Sequence, residues 1–347
     1  MAQKPLTDSQ LIEALTLVEQ HGSITDAAKA MGVSRPTLQT RINKARERFG
    51  NDGPGDKTKT YELPEILDDD IPVDDIVDQL TTRFEKRRDH ARQKEWLPIK
   101  MKSDEPIGLM WLGDPHVDDN YCEWPVLRHH LDLINSNAGV YGCGLGDYQN
   151  NWVGRLGRLY AEQDTSSNTA WKLVEWLIEN MNPLILIGGN HDMWSGSGDP
   201  LKWMVGHSAI REDWEARVEL QFPNGRTCRI HAAHDMPGHS QWNQLHGQVK
   251  MARFRQNADL FISGHKHNWA LSQIELVEQE RTAWLARARG YKYRDTYAQV
   301  KGFEQQNFGQ AILQVIDPGA THPAGFVHCF ADVDLGIEFL QFLRDRG

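Results

Sequence analysis

At 347 residues, 39% of them hydrophobic, the chain is long enough for one large domain plus a small one and can bury a core without covalent staples. A formal net charge of −10 excludes a protein coated in positive charge, so any nucleic-acid contact has to come from a local patch. The four cysteines, Cys122, Cys143, Cys228 and Cys329, form no CxxC pair, which argues for reduced, buried thiols over a disulfide frame or a thiolate zinc site.

The first residues, "MAQKPLTDSQ", carry no apolar leader. No run approaches the roughly 18 apolar residues of a membrane span, so the expectation is a cytoplasmic protein without a membrane partner. Residues 7 to about 48 then read as three helices, with Leu11, Ile12, Leu15 and Val18 on one face of the first. The stretch "GSITDAAKAMGVSRPTLQTRINKARERFG" resembles a helix-turn-helix. Ser23 or Thr25 caps a short helix, Ala27 and Ala28 permit close packing, Gly32 makes the turn, and Ser34 caps the next helix with Pro36 in its first turn. That last helix is the expected reader of DNA. It offers Arg35, Thr37, Gln39, Thr40, Arg41 and Lys44 outside the apolar Leu38 and Ile42, and Arg46 and Arg48 continue the charge toward phosphates. Helical trios also dock proteins, so both roles stand for this 1–50 domain. Residues 51–100 read as a mobile acidic linker rich in Gly, Pro and Asp, followed by a basic polar helix over 79–95. From about Ile107 apolar strands alternate with amphipathic helices, and 101–347 is one α/β domain.

Five stretches of that domain share one habit. "IGLMWLGDPH" (107–116), "VYGCGLGD" (140–147), "PLILIGGNHD" (183–192), "TCRIHAAHD" (227–235) and "DLFISGHKH" (259–267) each read as a strand whose C-terminal end carries Asp, His or Asn. In α/β sheets, loops at that edge converge on a ligand while the strands hold them rigid. Asp114, His116, Asp147, Asn190, His234, His265 and His267 therefore describe one polar site. They supply carboxylate, imidazole and amide groups without a thiolate, a set suited to manganese, iron or zinc and not to calcium or an iron–sulfur cluster. Seven ligands exceed what one ion needs. Two ions roughly 3.5–4 Å apart need one ligand that spans both, as a carboxylate does. Asp147, on the glycine-flanked turn "GLGDY", is the candidate bridge. His231 competes with His234 for one position. His231 and Arg229 sit at alternating strand positions that could face solvent, whereas His234 lies at the turn announced by "DMPG" and is preferred.

The ordered series DxH (Asp114, His116), GD (Asp147), GNHD (Asn190, His191, Asp192), a later His, and GHxH (His265, His267) resembles the calcineurin-like metallophosphoesterase superfamily over roughly residues 105–270. The resemblance implies a four-layer αββα sandwich of two sheets flanked by helices. It also implies two divalent ions, manganese first with iron or zinc as alternatives. Asp114, His116 and His267 would hold one, and Asn190, His234 and His265 the other. The chemistry is then attack on phosphorus by a metal-bridging hydroxide, with His191 protonating the leaving oxygen and Asp192 orienting and charging that imidazole.

Ser/Thr protein phosphatases of this superfamily continue GD into DRG and carry GNHE. Here "GDYQNNWVGR" and "GNHD" depart from both, which shifts the expectation to a phosphodiesterase or nuclease acting on DNA. Trp194 and Trp203 either stack bases or pack the fold, with Gly196 and Gly198 as a mobile rim. Arg155 and Arg158 either hold flanking phosphates or line a solvated helix face. His239, Trp242 and His246 either line the substrate side or pack a loop. The helix-turn-helix, the acidic linker and a phosphoesterase carrying "HDMPGHSQWN" and "ARGYKYRD" together look like proteins encoded by phages and prophages. The alternative is a DNA-binding regulatory or assembly protein whose metal domain is structural or sensing.

Overall fold

A computed structural model of the protein describes residues 6–50, 70–193, 200–238, 240–254, 257–293 and 306–346. Linker residues 51–69, Trp194, Gly196, Gly198 and His239 lie outside the described residues, as does the side chain of Arg155. The chain forms two compact units that divide between Asp78 and Gln79.

The first unit is helical, built from α1 (Asp8–His21), α2 (Ile24–Met31) and α3 (Arg35–Phe49). Each start is capped locally. Thr7 and Gln10 form a reciprocal capping box, and the hydroxyls of Ser23 and Ser34 accept from the backbone of Thr25 and Thr37 at 3.2 and 3.3 Å. Gly32 ends α2 in the left-handed conformation at φ 66°, which turns the chain into α3. Leu11, Ala14, Ala27, Ala28, Leu38 and Ile42 are buried between the helices, where the alanines allow close approach.

Helix α4 (Val73–Gln93) follows, and it begins six residues before the expected 79. Val73, Ile76 and Val77 continue the helical period N-terminally, and Asp74 and Asp75 sit in the first turn, where the helix dipole favours acids. Acidic residues that read as linker are here the start of a helix.

The second unit is a mixed α/β structure. Its strands are β1 (Leu97–Lys100), β2 (Ile107–Leu112), β3 (Val140–Gly144), β4 (Pro183–Gly188), β5 (Ile210–Asp213), β6 (Glu215–Gln221), β7 (Thr227–Ala233), β8 (Leu260–Ser263), β9 (Ala270–Leu276), β10 (Arg281–Arg287), β11 (Ala311–Ile316) and β12 (Val327–Phe330). They form two six-stranded mixed sheets, ordered β12-β11-β2-β3-β4-β5 and β1-β6-β7-β8-β10-β9. The expected domain start at residue 101 is corrected by β1, which pairs parallel with β6 and so belongs to the second sheet. At four residues β1 is too short to announce itself, but Leu97 and Ile99 pack on the core between the sheets.

Strand periodicity builds the layers. In β2, Leu109 and Trp111 face the core shared by the two sheets, while Met110 and Leu112 face the outer helices. Those helices are α5 (Trp124–Ser136), α6 (Ser167–Asn180), α8 (Pro200–Val205) and α10 (Val333–Arg344). Phe261 and Leu285 of the second sheet pack outward with Met251 and Ala252 of α9 (His246–Phe254). The single turn α7 (Asn190–Met193) sits directly after β4. Among the described residues no helix is long and apolar enough to cross a membrane.

Candidate metal centre

Five strands from both sheets deliver the polar residues to one place. Asp114 and His116 follow β2, Asp147 follows β3, Asn190 and His191 open α7 after β4, His234 follows β7, and His265 and His267 follow β8. The backbone bends sharply at these ends: His116, Asp147, His265 and His267 have φ of 41°, 52°, 68° and 50°. Such left-handed conformations cost non-glycine residues about 1–3 kcal/mol each and persist only where the surroundings over-determine them. Gly146, at φ 100°, brings the backbone against the site, and a Cβ there would lie 2.7 Å from His234 Nδ1.

Asp147 stands at the junction of two groups. Ligand atoms of His116, Asp147 and His191 lie within 4.8 Å of one another, and so do those of Asp147, His234 and His265. On the first side His116 Nε2 and His191 Nε2 are 4.0 and 3.9 Å from Asp147 Oδ2. On the second, His234 Nε2 is 3.3 Å from Asp147 Oδ2 and 3.0 Å from Asn190 Oδ1, and its Nδ1 faces the Leu145 carbonyl at 2.8 Å. The His234 and His265 rings meet edge to face at 4.7 Å. Asp114 accepts from the His265 amide at 2.7 Å and lies 3.8 Å from His267 Nε2, and the His267 ring is 5.4 Å from that of His116. Of the seven expected ligands, His116, Asp147, His234 and His265 belong to these two groups, while Asp114, Asn190 and His267 lie beside them, each within 4 Å of another of the seven. The first group also takes in His191, which was expected as a proton donor and not as a ligand.

Burial without solvent sets the electrostatics. Burial opposes ionisation of Asp147, yet the imidazoles of His234, His191 and His116 outweigh it and hold the carboxyl well below the usual range. Asp114 goes the other way, raised by burial and by the neighbouring Asp147 charge. Burial would lower His234, but Asp147 and Asp114 push it up to about 10. His116 is lowered by burial and then by Lys292, and His265 falls to about 4 through burial and His234. Both ring nitrogens of His116 and Oδ1 of Asp114 are buried with no hydrogen-bond partner, an arrangement native proteins rarely tolerate. Buried unpartnered nitrogen and oxygen lone pairs around a shared carboxylate fit a cation, and the absence of thiolates favours mixed N/O coordination.

Two details correct the expectations. The Asp192 carboxylate does not orient His191. It accepts from the backbone amides of Asp147, Gly189 and Tyr148 at 2.7, 2.8 and 3.2 Å, because successive residues of one helical turn project about 100° apart. Asp192 therefore braces the Asp147 loop, and burial together with the Asp147 charge raises its pKa to about 7. His231 does not face solvent. It is 1% exposed on the outer side of its sheet, 3.1 Å from Glu215 and edge-on to Phe261, while His234 is the one beside Asp147.

The group that does hold His191 went unread in the sequence. Its Nδ1 meets the backbone carbonyl of Asn150. Asn150 is itself fixed by Asp118 through its amide at 2.7 Å, and by Asp119 and Gln163 through its side chain at 2.9 and 3.1 Å. Lys292 Nζ lies 2.9 Å from Asp119, 3.5 Å from Asn150 Oδ1 and 5.2 Å from the Trp152 ring, whose edge contacts His191. The doublet Asp118–Asp119 just after the DxH motif was the only local signal. Lys292 stands far along the chain and had none.

Farther out, Trp203 is 70% and Trp242 94% exposed, so neither serves as core packing. Arg158 and His246 are exposed as well, outside both groups. On α3, Arg35, Thr37, Thr40 and Lys44 are exposed and Gln39 and Arg41 half-buried. Thr37 and Thr40 spend their hydroxyls on Ser34 and on the Pro36 carbonyl, and the exposed Arg48 pairs with Asp8 at 2.9 Å.

No family model matches the chain, and no curated protein does. Among solved structures it is similar to one described as GAP50, the anchor in the inner membrane complex of Plasmodium, at 12% identity over 64% of this chain and 88% of that chain, with a TM-score of 0.35. A likeness of that size carries no argument about fold or function.

Proposed function

We propose that the protein is a dinuclear metal-dependent phosphoesterase of the calcineurin-like metallophosphoesterase kind, with the corresponding four-layer fold, acting on phosphodiesters of DNA. The observation that carries the reading is Asp147: one ionised, buried carboxylate shared by two histidine-containing groups at converging strand ends. Asp114, His116 and His267 would hold one cation and Asn190, His234 and His265 the other, with Asp147 common to both. Manganese, iron or zinc would supply positive charge against phosphoryl oxygens and make a bound water acidic. The chain's own groups do the rest. Asp192, which accepts from the Asp147 amide, and the His191 amide, which donates to Asp147 Oδ1 at 2.9 Å, hold Asp147 in place. Asn150 anchors His191 through Nδ1 and leaves Nε2 directed to the Asp147 side, the nitrogen from which a proton can pass to the leaving oxygen. The α1–α3 unit is read as a helix-turn-helix that binds DNA, with Arg35, Gln39, Arg41 and Lys44 as its contacts.

Hydrolysis of bis-p-nitrophenyl phosphate tests the activity. Turnover with manganese that disappears on chelation and returns on re-addition is expected. Inactivity with manganese, iron, cobalt, nickel and zinc alike would overturn the reading. Deleting residues 1–50 should leave that turnover unchanged and weaken duplex binding at low salt; equal affinity of both forms would remove the DNA-reading role.

A further inference from the structure

Three consecutive residues grip His191 from one side. The Asn150 carbonyl accepts from its Nδ1, the Asn151 side chain donates to its backbone carbonyl at 2.7 Å, and the Trp152 ring meets the imidazole edge to face at 5.2 Å. A carbonyl only accepts, so the Nδ1 proton is fixed and Nε2 is the nitrogen left toward Asp147. Residues 150–153 belong to no helix or strand, and Asn151 is held at φ 38°. A segment of this kind keeps its shape through contacts from outside it.

Lys292 supplies such contacts from 142 positions along the chain. Its ammonium lies 2.9 Å from Asp119 Oδ2, 3.5 Å from Asn150 Oδ1 and 5.2 Å from the centre of the Trp152 ring, and Asp119 accepts from the Asn150 side-chain amide at 2.9 Å. One charge thus joins the two ends of the grip. The backbone that carries it is pinned: the Glu123 amide donates to the Tyr291 carbonyl at 2.7 Å and the Tyr293 amide to the Tyr121 carbonyl at 2.9 Å, on either side of a bridge between Lys292 and Cys122. The Lys292 and Asp119 side chains are each 9% exposed. A pair so buried is often no more stabilising than apolar side chains of the same volume, so stability does not account for it. What it secures is where Asn150 and Trp152 stand.

We propose that Lys292 is a positioning residue which, acting through Asn150 and Trp152, holds the His191 imidazole in the orientation from which a proton reaches the leaving oxygen. The role rests on the reading of His191 as proton donor, while the hold on the ring is measurable without metal or substrate.

Lys292→Met keeps most of the stem and removes the charge. In the metal-free protein carrying isotope-labelled histidine, the Nδ1 proton of His191 is identified as the signal missing from His191→Gln. It should exchange with water at least about tenfold faster in Lys292→Met than in the unaltered protein. With manganese, cleavage of DNA should fall about 10²-fold and hydrolysis of bis-p-nitrophenyl phosphate by no more than about tenfold, at unchanged metal content. In a His191→Gln background, Lys292→Met should cost no more than about twofold further, because the ring it orients is gone. Asn150→Ala, which cuts the tie at its other end, should behave alike, and it replaces Lys292→Met if that variant lacks the near-ultraviolet circular dichroism of the unaltered protein. Unchanged exchange at His191, equal losses on the two esters, or a full additional loss in the His191→Gln background overturns the role of Lys292. An unaltered protein inactive with every metal overturns the proposed reaction instead, and the exchange measurement still decides whether Lys292 holds the ring.

Discussion

The two sides of Asp147 hold similar side chains in opposite states. Toward His234 the imidazole nitrogens face oxygens of Leu145, Asn190 and Asp147, a closed arrangement of the protein's own groups. Toward His116 both ring nitrogens are buried without partners, and His191 beside it is held from behind by the Asn150 carbonyl. The difference teaches that on one side the protein's own oxygens satisfy the imidazole, whereas on the other burial leaves ring nitrogens without a partner.

The most severe way to break this comparison is to remove what the sides share. Asp147→Asn should abolish tight binding of both ions and reduce diester hydrolysis by roughly 10⁴-fold, or about 5 kcal/mol of barrier, because an amide cannot bring an anionic charge to two cations. Metal analysis that finds two tightly held ions per chain in this variant would end the bridging assignment.

His191→Gln separates a proton donor from a ligand. Cleavage of an alkyl diester such as DNA should fall about 10³-fold, within the usual span of general acid catalysis, with both ions retained. The p-nitrophenyl ester should lose far less, because its leaving group needs no proton. Burial, more than any neighbour, lowers the His191 pKa below the ordinary histidine value, so the acidic form is lost with rising pH already on the acid side of neutrality, and DNA cleavage by the unaltered protein should decline there. Equal losses on both substrates, or a missing ion, would make His191 a ligand.

The asymmetry itself appears in pH. His234 is raised to about 10, so at neutral pH it carries a proton that the cation must displace. Affinity on that side should rise about tenfold per pH unit, or about 100-fold from pH 6 to 8, with release of a proton. His116 is lowered and already neutral there, so its side should change little. Calorimetric manganese titrations in two buffers of different ionisation enthalpy resolve the proton; two steps with the same pH dependence would erase the distinction.

The smallest effect belongs to His231→Gln. This residue faces away from the site, so both ions and turnover should survive within about twofold, at a stability cost of about 1 kcal/mol in urea unfolding. Loss of an ion here would exchange the roles of His231 and His234.

Much of this protein was legible because it is local. The caps at Ser23 and Ser34 with the turn at Gly32, the period-2 alternation of β2, and the polar residues ending β2, β3, β4, β7 and β8 each depend on neighbours a few residues away. Sequence by itself therefore determined the helical unit, the alternating α/β part and the group of residues that meets at the strand ends. Other features rest on groups brought from far along the chain. Only the tertiary structure decided that Asp147 is shared between two groups, that Asp192 braces its loop while the Asn150 carbonyl holds His191, that Lys292 reaches Asp119, and that β1 joins the second sheet. Side-chain direction on a one-turn helix, the partner of a four-residue strand and the burial that moves a pKa are set by distances in space between residues tens to hundreds of positions apart, which no local pattern encodes.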